Sequence, residues 1–150
     1  MKTMNEFVSM LDAQKSLLCI KKRQFDVWIE NSMIVPGSNK ETDLGLHYMD
    51  FEYRLSCMIE RLPSASGGLL CLLVHQFVNN IEDRHDLESV SVDLSDNDGK
   101  TVDAEITFGV RDPFYLVPVE NSPIEIDGVK MGFGDGGLDV AEVVTLNALG

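Results

Sequence analysis

Few residues in this chain have the type and spacing that chemistry needs. The nearest pattern lies in an acidic stretch. Asp96, Asp98, Gly99 and Glu105 match positions 3, 5, 6 and 12 of a calcium-binding EF-hand loop. Position 1 is Leu94, which cannot ligate, and the flanks read as strands rather than helices. The stretch therefore predicts a turn rather than a metal site. His47, His75 and His85 are unclustered, and His75 flanks an apolar helical stripe as a boundary residue. Cys19, Cys57 and Cys71 are odd in number, widely spaced and set among apolar neighbours. That suits buried reduced thiols better than a disulfide or a metal site. No Ser-His-Asp arrangement, nucleophile elbow, phosphate loop or zinc spacing occurs. The expectation is a protein without catalytic residues, without a cofactor and without a bound metal.

Charge is the stronger signal. The net charge is −13, and it is unevenly spread. Residues 1–85 carry 11 acids and 9 bases, whereas residues 86–150 carry 14 acids and 3 bases. An acidic surface repels phosphate and attracts basic patches. Direct nucleic-acid binding needs lysines and arginines to release counterions, so it is not expected. Lys21-Lys22-Arg23 is the densest basic run. It reads first as a solvated helix end, where cations suit the macrodipole, and second as a docking patch for an acidic partner. No apolar run approaches the roughly 18 to 20 residues that cross a bilayer, and the N-terminus has no apolar core of a signal peptide.

The elements that position these residues start with Leu46–Glu82. Met49, Phe51, Tyr53, Leu55, Cys57 and Ile59 alternate with Asp50, Glu52, Arg54, Ser56 and Glu60. Side chains alternate across a strand, so this is a long strand with one buried face. Pro63 to Gly68 stops it. Leu70, Leu73, Val74, Phe77, Val78 and Ile81 then recur at helical spacing. The helix can lie back on the apolar face of the strand.

The remaining segments obey the same logic. Thr3 and Glu6 form a capping-box pair ahead of Met4, Phe7, Val8, Leu11 and Leu18, which predicts a helix from Met4 to Leu18. Phe25, Val27 and Ile29 alternate as a strand, and Asn31-Ser32 reads as a turn from which Met33-Ile34-Val35 returns. Trp28 falls on the polar face of that strand, where it could anchor another subunit. Ser89–Leu94 and Val102–Val110 flank Asp96-Asn97-Asp98-Gly99 as a β-hairpin. Pro113 interrupts the next segment, so Phe114 and Tyr115 fall on an edge strand or an extended loop, and an edge strand would be open to a partner. Asp127-Gly128 is a turn between two short strands. Gly128 to Gly137 is glycine-rich and leads into Leu138, Val140, Val143, Val144 and Leu146. That reads equally as an apolar arm for a neighbour and as a last element of the same domain. The fold class is α+β, with helices packed on one face of a mainly antiparallel sheet and an extended C-terminal arm. The divisions are residues 1–127 for the domain and 128–150 for hinge and arm.

Phe51-Glu52-Tyr53-Arg54-Leu55 with its turn and the apolar helix Leu69–Asn80 resembles the tail completion protein R of contractile-tailed temperate phages. So do Phe25-Asp26-Val27-Trp28-Ile29-Glu30-Asn31 and the later strand with Ile106-Thr107-Phe108. The resemblance covers roughly residues 5 to 120 and excludes the C-terminal arm. It implies a virion structural protein similar to tail terminators: a ring, usually a hexamer, capping the head-proximal end of tail tube and sheath. Its implied partners are further copies of itself, the tail tube protein, the tail sheath protein and the neck or head-tail connector. Genome DNA would pass through without specific binding, no membrane is involved, and the protein would reach the virion tail from the host cytoplasm. Trp28, Phe114, Tyr115 and the arm are then candidate interface residues. Asp96, Asp98, Asp103 and Glu105 are candidates for lining the bore or docking a basic partner. The alternative reading is a small α+β ligand-binding domain or enzyme.

Overall fold

A computed structural model of the chain describes residues 1–134. In it, helix α1 spans Lys2–Leu18 and α2 spans Gly67–Asn79. The strands are β1 Phe25–Pro36, β2 Glu41–Thr42, β3 Gly45–Pro63, β4 Ser91–Asp96, β5 Thr101–Pro118, β6 Ile124–Ile126 and β7 Val129–Gly132. The sheet path is β1-β3-β5-β7-β6, and β4 pairs with β5 beside β7, further along the same strand. All pairings are antiparallel. The expected α+β class is therefore the observed one.

Both helices lie on one face. Tyr53, Leu55, Cys57 and Ile59 of β3 and Ala104, Ile106, Phe108 and Val110 of β5 face them and are buried. From the helices come Met4, Phe7, Leu11 and Leu18, and Leu70, Val74 and Val78. Phe7 packs edge-on against Phe77 at 5.1 Å and Phe108 at 5.4 Å. Three rings thus join both helices to the central strand, and edge contacts favour that geometry.

Several local expectations are corrected. Thr3 does not cap α1. The helix starts earlier, at Lys2, with no side-chain cap, and Thr3 is buried. Its hydroxyl donates to Asp112 across the helix–sheet interface at 2.5 Å. Asn31-Ser32 is not a hairpin turn. β1 runs through it as a bulge between Glu30 and Met33, with Asn31 at φ 53°, so Met33-Ile34-Val35 continues along β3 rather than returning. Pro113 does not end its strand either. Gly109 and Val119 donate outward, to Glu88 and Lys130, and strand alternation places the missing Pro113 donor on that same outer edge. Among the described residues no strand pairs there, between the stretches of β5 held by β4 and β7. Finally, Cys19 is exposed rather than buried. It closes α1 in the left-handed conformation, its N–H satisfying the last carbonyls. His75 is likewise exposed and not a boundary residue.

The turn at Asp127-Gly128 forms as expected, with both residues at positive φ. The anticipated division at 127/128 falls inside this turn, and Val129–Gly132 pairs with β6 and β5. Leu138, Val140, Val143, Val144 and Leu146 lie outside the described residues.

Candidate assembly surfaces

Acids on the β4–β5 hairpin are of two kinds. Asp98 accepts the N–H groups of Lys100 and Thr101 at 3.0 and 2.9 Å. Those donors hold its carboxyl below the usual carboxylate range. Asp96 accepts the Gly99 N–H. Asp103 accepts from the Asn97 amide at 2.9 Å and the Arg61 N–H at 3.0 Å, and these two bonds lower its pKa. Three of the four acids singled out in sequence are thus turn and bulge fasteners. Glu105 is exposed and sits opposite Asp93, an equally exposed acid. This pair is free to act on something outside the chain.

Arg61 lies at a second bulge. It has φ 55°, and the β3–β5 register shifts between Ile59 and Leu62. A left-handed arginine costs about 1 kcal/mol, so the site must be held. Gln24 does so from one side, donating to the Glu60 and Arg61 carbonyls at 2.9 and 3.2 Å. Asp103 does so from the other. Gln24 ends a short 3-10 turn, Lys22–Gln24, which the sequence reads only as a basic run. The clamp brings Lys21 and Arg23 beside Glu60 and Arg61 at one corner of the sheet, with Lys22 between them in sequence. These four cations form no ion pair among the described residues.

The outer face of the sheet is different. The loop 82–88 crosses β5, where Gly109 makes room for it: a Cβ there would sit 2.7 Å from the Glu88 nitrogen. Arg111 binds Glu52 and Asp86, each at 2.8 Å, and also Asp83. Arg54 binds Glu88 at 2.8 Å and Glu30 at 3.7 Å. Arg84 donates to the Gly109 and Glu88 carbonyls. The polar face of β3 is thus partly neutralised. Asp83, His85 and Asp86 stand close enough to share an ion. All three are exposed, and Arg111 already binds both aspartates.

Trp28 is half-buried on the outer face, its indole N–H donating to Glu30 at 2.6 Å. Phe114 packs against Phe51 and Phe133, and Tyr115 against His47. Both belong to β5 and pair with β3, so they are not on an isolated edge strand. Sequence reasoning missed Met33, Ile34, Leu44 and Tyr48, which are exposed at the opposite end of the sheet from the two charged corners. Period-two reading assigned the first two to a returning strand and gave no reason to look there.

No curated protein and no solved structure matches the chain. The family model of the P2 phage tail completion protein R (GpR) matches residues 1–131, which take in every described element but the last residue of β7. The resemblance seen in the strand–turn–helix unit thus extends over most of the 150 residues. The chain belongs to the phage tail completion protein R family and is a component of the virion tail.

Proposed function

We propose that this protein terminates the tail: copies of it close into a homo-oligomeric ring, six-fold, on the head-proximal end of the tail tube and sheath of a contractile tail. The ring stops polymerisation and offers the neck a surface for joining the head. It assembles in the host cytoplasm. The observation that carries the reading is the family match over residues 1–131. The sheet supports it, because its first and last strands in the β1-β3-β5-β4 direction each leave an edge unpaired among the described residues. A head-to-tail contact closes into a ring when its rotation divides a full turn. With −13 on each copy, a duplex in the bore meets a field of like charge.

The test is a titration of tail-tube protein assembly. Substoichiometric amounts should cap tubes and shorten their length distribution. Unchanged lengths would overturn the reading. Neutralising the hairpin then separates bore from docking. The charge probes are Asp93→Asn and Glu105→Gln, since Asp98 and Asp103 also hold backbone. A bore role predicts normal head joining with impaired DNA passage, and a docking role predicts tails that stay headless.

A further inference from the structure

We infer that the contact between neighbouring copies is made by the β4 edge of one against the β1 edge of the next, set by opposite charges at the two corners. The inference rests on the ring reading and names its interface. Among the described residues β4 pairs only with β5, and β1 only with β3. β1 runs antiparallel to β3, β3 to β5 and β5 to β4. A neighbour in the same orientation therefore presents β1 antiparallel to β4, the direction that continues the sheet. The lengths agree as well. β4 is six residues, Ser91–Asp96, and β1 offers six, Phe25–Glu30, before its bulge.

The heights agree too. Phe25 pairs with Ile59, Ile59 with Ala104 and Ala104 with Leu94. Both free edges thus lie at one end of the sheet, on opposite sides. Lys21, Lys22 and Arg23 precede β1 by one residue, and Lys21 and Arg23 share their corner with Glu60 and Arg61 of β3. Asp93 and Asp96 are on β4, with Glu105 next to Asp93. Neither group has an ion-pair partner among the described residues, although this chain is rich in acids. Glu30 is occupied by Arg54, which leaves Asp26 as the one acid on that stretch of β1 without an ion pair among the described residues. Opposite charge also directs the pairing. β4 against β4 would align two acidic edges, so the charge pattern favours the heterologous contact.

The experiment is a charge swap in the full-length chain. One variant carries Lys22→Glu and Arg23→Glu, and the other Asp93→Lys and Glu105→Lys. All four side chains are exposed and none holds backbone, so both variants should melt like the parent. Assembly is followed by sedimentation and native mass spectrometry, free and on tail tubes of the same phage. Each variant alone should need about tenfold more protein to assemble, because each then carries one sign on both edges. An equimolar mixture should restore assembly, since alternating copies regain opposite charges in an even ring. Only folded chains can rescue one another, so misfolding cannot mimic this result. Wild-type assembly by either variant alone, a mixture that does not recover, or a parent that stays single both free and on tubes would overturn the inference. Tube length is read separately. A recovered ring that leaves tubes uncapped would sink the terminator reading and keep this interface.

Discussion

Tyr53→Phe offers the sharpest check on the buried polar cluster. The Tyr53 hydroxyl donates to one Asp112 oxygen at 2.8 Å, and the Thr3 hydroxyl donates to the other. Asp112 is only 4% exposed, so water does not replace a lost donor there. A hydrogen bond to a charged, buried acceptor contributes roughly 1.5–3 kcal/mol, and the substitution should cost about 2 kcal/mol at pH 7. For a chain of this size that lowers Tm by about 4–8 °C. The gap should then shrink with pH. Burial, and next the Asp112 charge, push the Tyr53 phenol above its ordinary value. An unfolded tyrosine ionises near pH 10, so the stabilisation is complete below about pH 10 and is lost as pH rises beyond it. The loss runs at about 1.4 kcal/mol per pH unit while the folded phenol keeps its proton. At pH 11 the two proteins should therefore differ by only about 0.6 kcal/mol. Urea unfolding of both at pH 7 and pH 11 measures this, because every other titrating group is common to the pair. A gap below about 0.5 kcal/mol at pH 7, or one that stays constant to pH 11, would refute the reasoning.

Two further substitutions probe the backbone. Cys19→Gly should raise stability by about 1 kcal/mol in a denaturant melt, since Cys19 holds φ 59° at the end of α1. Gly109→Ala should lift the 82–88 loop from the sheet and cost about 1–3 kcal/mol, with faster amide exchange confined at first to that loop.

Strand β3, helix α2 and the β4–β5 hairpin were legible because their apolar residues repeat at one clean period and their turns use residues with few other roles. The departures at Thr3, Asn31 and Pro113 share a cause: each was settled by a partner distant in sequence. Thr3 and Glu6 satisfy a local capping pattern, yet the hydroxyl of Thr3 goes to Asp112, 109 positions away. Asn31 at positive φ serves a turn and a bulge equally, and only the ladder to β3 decides between them. Pro113 reads as a break because the sequence does not say which edge its missing donor faces. The clamp on Arg61 left no local signal, since Gln24 and Asp103 are ordinary residues until the sheet brings them together. For the candidate surfaces, the sequence supplied the charges and not their placement. It named the basic run and the acidic hairpin, and the register put them at opposite edges of one end.

The pairing of β3 with β5 also governs how the chain is made. Partners in that ladder are separated by 38 residues at Pro63–Thr101 and by 70 at Leu46–Leu116. At roughly 5–20 residues per second, the inner edge of β3 waits about 2 to 14 seconds on the ribosome before its mate emerges. β1 and β3 can zip meanwhile, leaving an apolar ribbon with one side unclaimed. Helices α1 and α2 are complete by then and are the first cover it can have. The central strand therefore arrives late into a half-built shell. Closing that long-range ladder is the slow step expected of refolding, and the moment at which aggregation competes most strongly.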